Sequence, residues 1–195
     1  MNSKKLRHKI KAPLLSLKYK MARRHSEGRI AIVGCGRSGT TYTSQLLQAH
    51  GYEIGHEELQ RHGISSWCIV PNTAERCWGP SARDLEHLQI PRVHQIRHPL
   101  QVIASFTTAG ERSWEFIQRF IPIEEGDSQI QKCMKYWLYW NEMAEKDAVL
   151  RYKVDEIEQK LPEIFSIAGF TWNENADPAF TTQSIPKDVN RRSHA

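Results

Sequence analysis

The run Arg29-Ile-Ala-Ile-Val-Gly34-Cys-Gly36-Arg-Ser-Gly39-Thr-Thr41 limits the possible folds more than any other stretch of the chain. Ile30, Ala31, Ile32 and Val33 form a short apolar, mostly β-branched run, which predicts a strand buried on both faces. Three glycines follow within six residues. From Thr40 onward Tyr42, Leu46, Leu47 and Ala49 gather on one side of a predicted helix. Strand, glycine-rich turn and helix in that order belong to an α/β protein with a parallel sheet. Such a turn aims several backbone N–H groups and the positive end of the helix at one spot, which makes an anion site, most often for phosphate.

Two familiar phosphate motifs come close. Gly34 and Gly39 have the spacing of the nucleotide-triphosphate loop G-x-x-x-x-G-K-[ST], and Thr41 fits its last position. Thr40 stands where the lysine belongs, so the cation that steadies the β- and γ-phosphates is missing, which disfavours phosphoryl transfer. Gly34, Gly36 and Gly39 also match the dinucleotide fingerprint G-x-G-x-x-G, with Glu53 or Glu57 in range as a ribose ligand. An NAD-type Rossmann oxidoreductase therefore stays open. Arg37, Ser38, Thr40 and Thr41 supply more anion-binding groups than a pyrophosphate turn needs.

A second stretch, Arg92 to Phe106, reads as a strand and then a helix with Pro99 in its first turn. Arg97 ends the strand, and Ser105 follows eight residues later, two turns along the helix. Together, Gly-x-Gly-Arg-Ser-Gly-Thr-Thr after a strand and Arg97-x-Pro99 with Ser105 resemble the sulfotransferases that use 3′-phosphoadenosine 5′-phosphosulfate (PAPS). The likeness is closest to the carbohydrate, tyrosylprotein and bacterial branches and covers roughly residues 29–170. It implies a P-loop NTPase-like sulfotransferase fold, a three-layer α/β/α domain around a central parallel sheet. It also implies that Gly36, Arg37, Ser38, Gly39, Thr40 and Thr41 hold the 5′-phosphosulfate, and that Arg97 and Ser105 hold the 3′-phosphate. Both groups must then open onto one cleft. Arg37 would also stabilise charge on the leaving phosphate. A transferring sulfuryl group carries less charge than a phosphoryl group, so no metal is expected. PAPS would be the co-substrate and 3′,5′-ADP the product.

Gly55-His56-Glu57-Glu58 is similar to the Gly-Glu-Glu of tyrosylprotein sulfotransferases, whose second carboxylate deprotonates the acceptor. Counting from Gly55 selects Glu57, and counting from Arg37 selects Glu58. Strand alternation favours Glu57, and His56 is a third candidate base. Tyr152, in a segment loosely similar to the family's Arg-Tyr-Glu-Asp-Leu element, would contact adenine, although Lys153-Val154 departs from that pattern. The family's late Arg-Lys-Gly clamp is absent. Asn190 with the basic Arg191 and Arg192 could replace it as a clamp, or form only a solvated tail. The acceptor hydroxyl would belong to a saccharide or small metabolite. A non-catalytic nucleotide- or glycan-binding relative is the remaining alternative.

Charge divides the chain. Residues 1–29 hold ten Lys or Arg against one acid, and the remainder holds 17 against 21. The basic character thus belongs to an N-terminal extension, residues 1–28, ahead of a domain at 29–195. It gives no argument for a nucleic-acid partner. The extension is a candidate for peripheral contact with an anionic membrane. Cys35, Cys68, Cys77 and Cys133 lack metal-site spacing, and reduced thiols are expected, with a Cys68–Cys77 bridge as the alternative. No apolar run reaches the length of a membrane span, and Leu14-Leu15-Ser16-Leu17 is too short for a signal core. A cytoplasmic enzyme is the expectation.

The rest reads element by element. A second strand is expected from Gly51, passing into a helix-like Glu58–His62. Residues 63–70 read as a turn and a buried segment, and 71–80 as a loop or lid, with Trp67 and Trp78 either lining an acceptor pocket or packing. Ser81 caps a helix over 82–88, and 111–121 is a short amphipathic helix. Asp127 caps a long helix to about 147, whose stripe of Ile130, Cys133, Met134, Trp137, Leu138, Trp140 and Ala144 is expected in the core, with Asn141 as polar support. Val149–Tyr152 is a fourth strand, and 155–168 a closing helix ended by Gly169.

Overall fold

The computed structural model describes residues 28–86 and 88–172. Its centre is a five-stranded, all-parallel sheet in the order β2-β3-β1-β4-β5. The strands are β1 (Ile30–Val33), β2 (Ile54–His56), β3 (Gly63–Ser65), β4 (Arg92–Ile96) and β5 (Ala148–Lys153). Among the described residues six helices accompany them: α1 (Thr40–Ala49), α2 (Ala82–Glu86), α3 (Pro99–Phe106), α4 (Glu111–Ile117), α5 (Gln129–Glu145) and α6 (Ile157–Ile167). A 3-10 turn at Val154–Glu156 leads into α6.

Strand alternation sends β1 side chains to opposite faces. Ile30 and Ile32 join Leu46 and Leu47 of α1 and Leu161 and Ile164 of α6 in one apolar cluster. Ala31 and Val33 join Val102, Phe106, Tyr136 and Trp140 of α3 and α5 in the other. Both faces of the sheet are therefore covered, and all four β1 residues are buried, as a central parallel strand requires.

β1 lies between β3 and β4, not beside β2. In the dinucleotide-binding order β2 flanks β1. This arrangement is different, and the literal G-x-G-x-x-G match loses the neighbour that supplies its ribose acid.

Several expectations need correction. The helix-like segment at 58–62 is instead a tight return between β2 and β3. Gln60 N–H donates to the Gly63 carbonyl at 3.0 Å, and His62 N–H to Glu53 at 2.9 Å. Six residues join two parallel strands, where about a dozen or more are usual. Glu57 reverses the chain at φ 57°, and Gly63, at φ 136°, lies so close to β1 that a Cβ there would stand 1.9 Å from the Ile30 carbonyl oxygen. Residues 149–152 consequently fall in the fifth strand, not the fourth. Helix α5 is capped by Ser128, which accepts from the Gln131 amide in a capping box, while Asp127 accepts from Glu124 and pairs with Lys135 at 2.7 Å. Of the α5 stripe, Cys133, Trp140 and Ala144 are buried, but Ile130, Met134 and Leu138 are exposed on a separate face. Residues spaced by three and four wrap more than one side of a helix when seven are counted together. The N-terminal extension and Asn190, Arg191 and Arg192 lie outside the described residues. All four cysteines are free and buried. Among the described residues no helix is long and apolar enough to cross a membrane.

Candidate functional site

The carboxyl ends of the parallel strands open onto a cleft of about 1090 Å³. Open α/β sheets bind ligands at this edge, where the strand order reverses. Gly36, Arg37, Gly39, Thr40 and Thr41 line it from the β1–α1 turn, and Arg97, Gln101 and Ser105 from the end of β4 and from α3. His56 and Glu57 enter from the end of β2, and Val154, Asp155 and Glu158 from the start of α6. The Arg97 Nη1 donates to the Arg37 carbonyl at 3.1 Å. The two anion-binding stretches predicted from sequence, sixty residues apart, therefore meet on one side of the sheet.

Helix α1 starts at Gly39, whose φ is 97°, with no side-chain cap and no acid in its first turn. Its leading amides have no carbonyl one turn behind them, which suits an anion. Other groups in the turn are already engaged. Gly36 N–H donates to the Tyr136 hydroxyl at 2.6 Å, and Ser38 N–H to the Cys35 carbonyl at 3.1 Å. Gly36 thus borders the cleft with its amide turned inward. Ser38 is buried, its hydroxyl without a hydrogen-bond partner, and it is not among the lining residues. Tyr152 is likewise buried away from the cleft, so adenine contact does not fit its position.

What holds the turn is Gln95, which the sequence reading passed over. Its Nε2 donates to the Ser38 carbonyl at 2.7 Å, and its Oε1 accepts from Tyr152 at 2.6 Å and from the Thr43 hydroxyl. One amide ties β4, the glycine turn, α1 and β5 together. The sequence signal was a polar pair, His94-Gln95, inside a strand built for burial. His94 faces the other way and bonds Asn141 at 3.0 Å. Asn141 thus supports β4 from α5.

The base candidates separate clearly. Glu57 lines the cleft, whereas Glu58 is exposed and outside the lining. Glu57 Oε2 accepts from the Ser66 hydroxyl at 2.5 Å, and Oε1 is buried without a hydrogen bond. Burial pushes its carboxyl up to about 7, against hydrogen bonds from Ser66, Cys68 and the Trp67 backbone that pull the other way. His56 Nε2 lies 3.2 Å from the Thr40 hydroxyl, 3.1 Å from that of Thr41 and 3.6 Å from Glu57 Oε1. Burial lowers the His56 pKa, which favours the neutral ring. Arg37 and Glu57 are two of the three non-glycine residues with left-handed backbone among the described residues. Such conformations collect at functional sites because the surrounding structure has to hold them there.

Trp67, Trp78, Phe106, Arg112 and Ser113 also line the cleft, with Phe106 and Trp67 against the glycine turn, 3.2 and 3.5 Å from where a Cβ on Gly36 would stand. Trp67 is also a core residue, packed edge-on against Phe106, Phe116 and Tyr136. Trp78 is 40% exposed, and the Arg112 guanidinium lies 3.9 Å from its ring centre. Gln101, Arg112 and Glu158 carried no sequence motif, and Asp155 only the loose likeness around Tyr152; the topology brings them to the site. Comparison with family models, with curated proteins and with solved structures gives no match.

Proposed function

We propose that the protein is a PAPS-dependent sulfotransferase with the P-loop sulfotransferase fold, acting on an acceptor hydroxyl. One observation carries the reading. Arg97, with Ser105 beside it on the cleft wall, touches the glycine turn, so a doubly phosphorylated nucleotide has cations for both its ends in one cleft. The cleft, at about 1090 Å³, is slightly larger than the ~300–1,000 Å³ range of ligand pockets, which suits a nucleotide and an acceptor together. The strand order adds to the case against the NAD reading.

In the proposed reaction, Glu57 takes the proton of the acceptor hydroxyl as the oxygen attacks sulfur in line. An S–O bond forms to the acceptor, and the S–O bond to the 5′-phosphate breaks. The electron pair leaves with the phosphate, where Arg37 and the first amides of α1 stabilise it. The products are a sulfate ester, a proton on Glu57 and 3′,5′-ADP. Thr40 and Thr41 support the phosphosulfate, with their hydroxyls also steadied by His56.

Calorimetric titration with 3′,5′-ADP and with NAD tests the nucleotide assignment. The expected result is binding of 3′,5′-ADP that weakens at least tenfold in Arg97→Ala, with no binding of NAD. Tight, Arg97-dependent binding of NAD alone would sink it. Transfer of label from PAPS to a host lysate, with the product identified by mass spectrometry, then tests the activity. Nucleotide binding without transfer would favour the binding-module alternative.

A further inference from the structure

We propose that the wall of the cleft formed by Trp78 and Arg112 binds a carboxylate-bearing ring, with Arg112 as its anchor, so that the acceptor is an acidic sugar or aromatic acid; the identity of this ligand as the acceptor rests on the reading above. Among the described residues Arg112 pairs with no carboxylate, although it lines the cleft. Its neighbour on the same side, Arg119, is paired with Glu75. Arg112 is nevertheless held in place. Its Nη2 donates to the Cys77 carbonyl at 2.5 Å, and its guanidinium stacks on Trp78. A guanidinium has five N–H groups, so most stay available for a planar carboxylate, and a fixed fork loses little freedom on binding.

The chain also ties the support of this anchor to the base candidate. Cys77 and Trp78 hold Arg112, and the next residue, Gly79, packs on Glu57 so closely that a Cβ there would stand 1.8 Å from the Glu57 carbonyl oxygen. Trp78, 40% exposed, offers the apolar surface for the ring itself.

Calorimetric titration with phenyl β-D-glucuronide and phenyl β-D-glucoside provides the test, since the two differ by one carboxylate. The glucuronide should bind about tenfold more tightly, the size of a charge-assisted hydrogen bond. Arg112→Gln should abolish that preference, so that the two probes bind alike, and Arg112→Lys should keep part of it. Equal binding of the two probes, absence of binding by either, or a preference that survives Arg112→Gln but disappears in Arg97→Ala overturns the proposal. A parallel titration with 3′,5′-ADP separates the two readings. Loss of nucleotide binding with the Arg112-dependent preference intact removes the sulfotransferase assignment and leaves the carboxylate site standing.

Discussion

Glu57 combines a strained backbone, a desolvated carboxyl and a place beside the anion turn. Its folded pKa, about 7, exceeds its ordinary value of 4.5, so between those values the folded chain holds a proton that the unfolded chain has lost. The stability this group contributes is complete below 4.5 and is lost as pH rises through 7. Glu57→Gln keeps a neutral group of the same shape. It should match the wild type in thermal melts at pH 4 and be more stable at pH 8, by roughly 3 kcal/mol. If the proposed reaction is right, the same variant should lose sulfate transfer by a factor on the order of 10²–10⁴. For the wild type, kcat/KM should rise with pH through about 7, as the base ionises. A melt at pH 8 no higher than wild type would contradict the assigned burial. Arg37, Arg97 and Glu57 were legible in the sequence because each stands at a strand end within a local motif. Gln95 and Arg112 were not, because they act on partners 57 and 35 residues away.

Among the elements, the β1–α1 turn shows how much a buried polar group can organise. Removing the Gln95 side chain leaves the Ser38 carbonyl and the Thr43 and Tyr152 hydroxyls without their partner. Gln95→Ala should therefore cost about 2–4 kcal/mol in urea unfolding and weaken phosphate binding at the turn. A loss below about 0.5 kcal/mol would show that the network does not hold the turn. Strand β1, helix α1, β4 and the proline-started α3 could be read from pattern alone, since periodicity and turn chemistry agree there. Strand β3 could not, because a six-residue parallel return depends on Glu57 and Gly63 adopting left-handed backbone. The choice of Ser128 over Asp127 as the α5 cap was a local ambiguity between neighbouring good caps. Ser128→Ala should lower stability by about 1 kcal/mol, while Asp127→Ala should spare the cap.

At the scale of the molecule, the sheet separates two apolar clusters, and α5 contributes to only one of them. Trp140 is fully buried and donates to the Trp67 carbonyl at 3.1 Å. Trp140→Ala should cost about 3–5 kcal/mol. Met134 is 52% exposed on the opposite side of the helix, so Met134→Glu should change the unfolding free energy by no more than about 0.5 kcal/mol. A large loss from Met134→Glu would mean that this face is covered in solution. The sequence reading placed both residues in one stripe because helical spacing alone does not say how much of a helix a sheet can cover. The parallel sheet itself was foreseen, but the order of its strands was not, since order is decided by which connection crosses over.

That order has a consequence during synthesis. Of the five strands the middle one leaves the ribosome first, and one of its two hydrogen-bonding edges stays bare until residues 92–96 emerge to cover it. The glycine turn needs Gln95 from the same late strand, so a nascent chain that stops earlier has the glycine-rich sequence in full yet lacks the residue that shapes it.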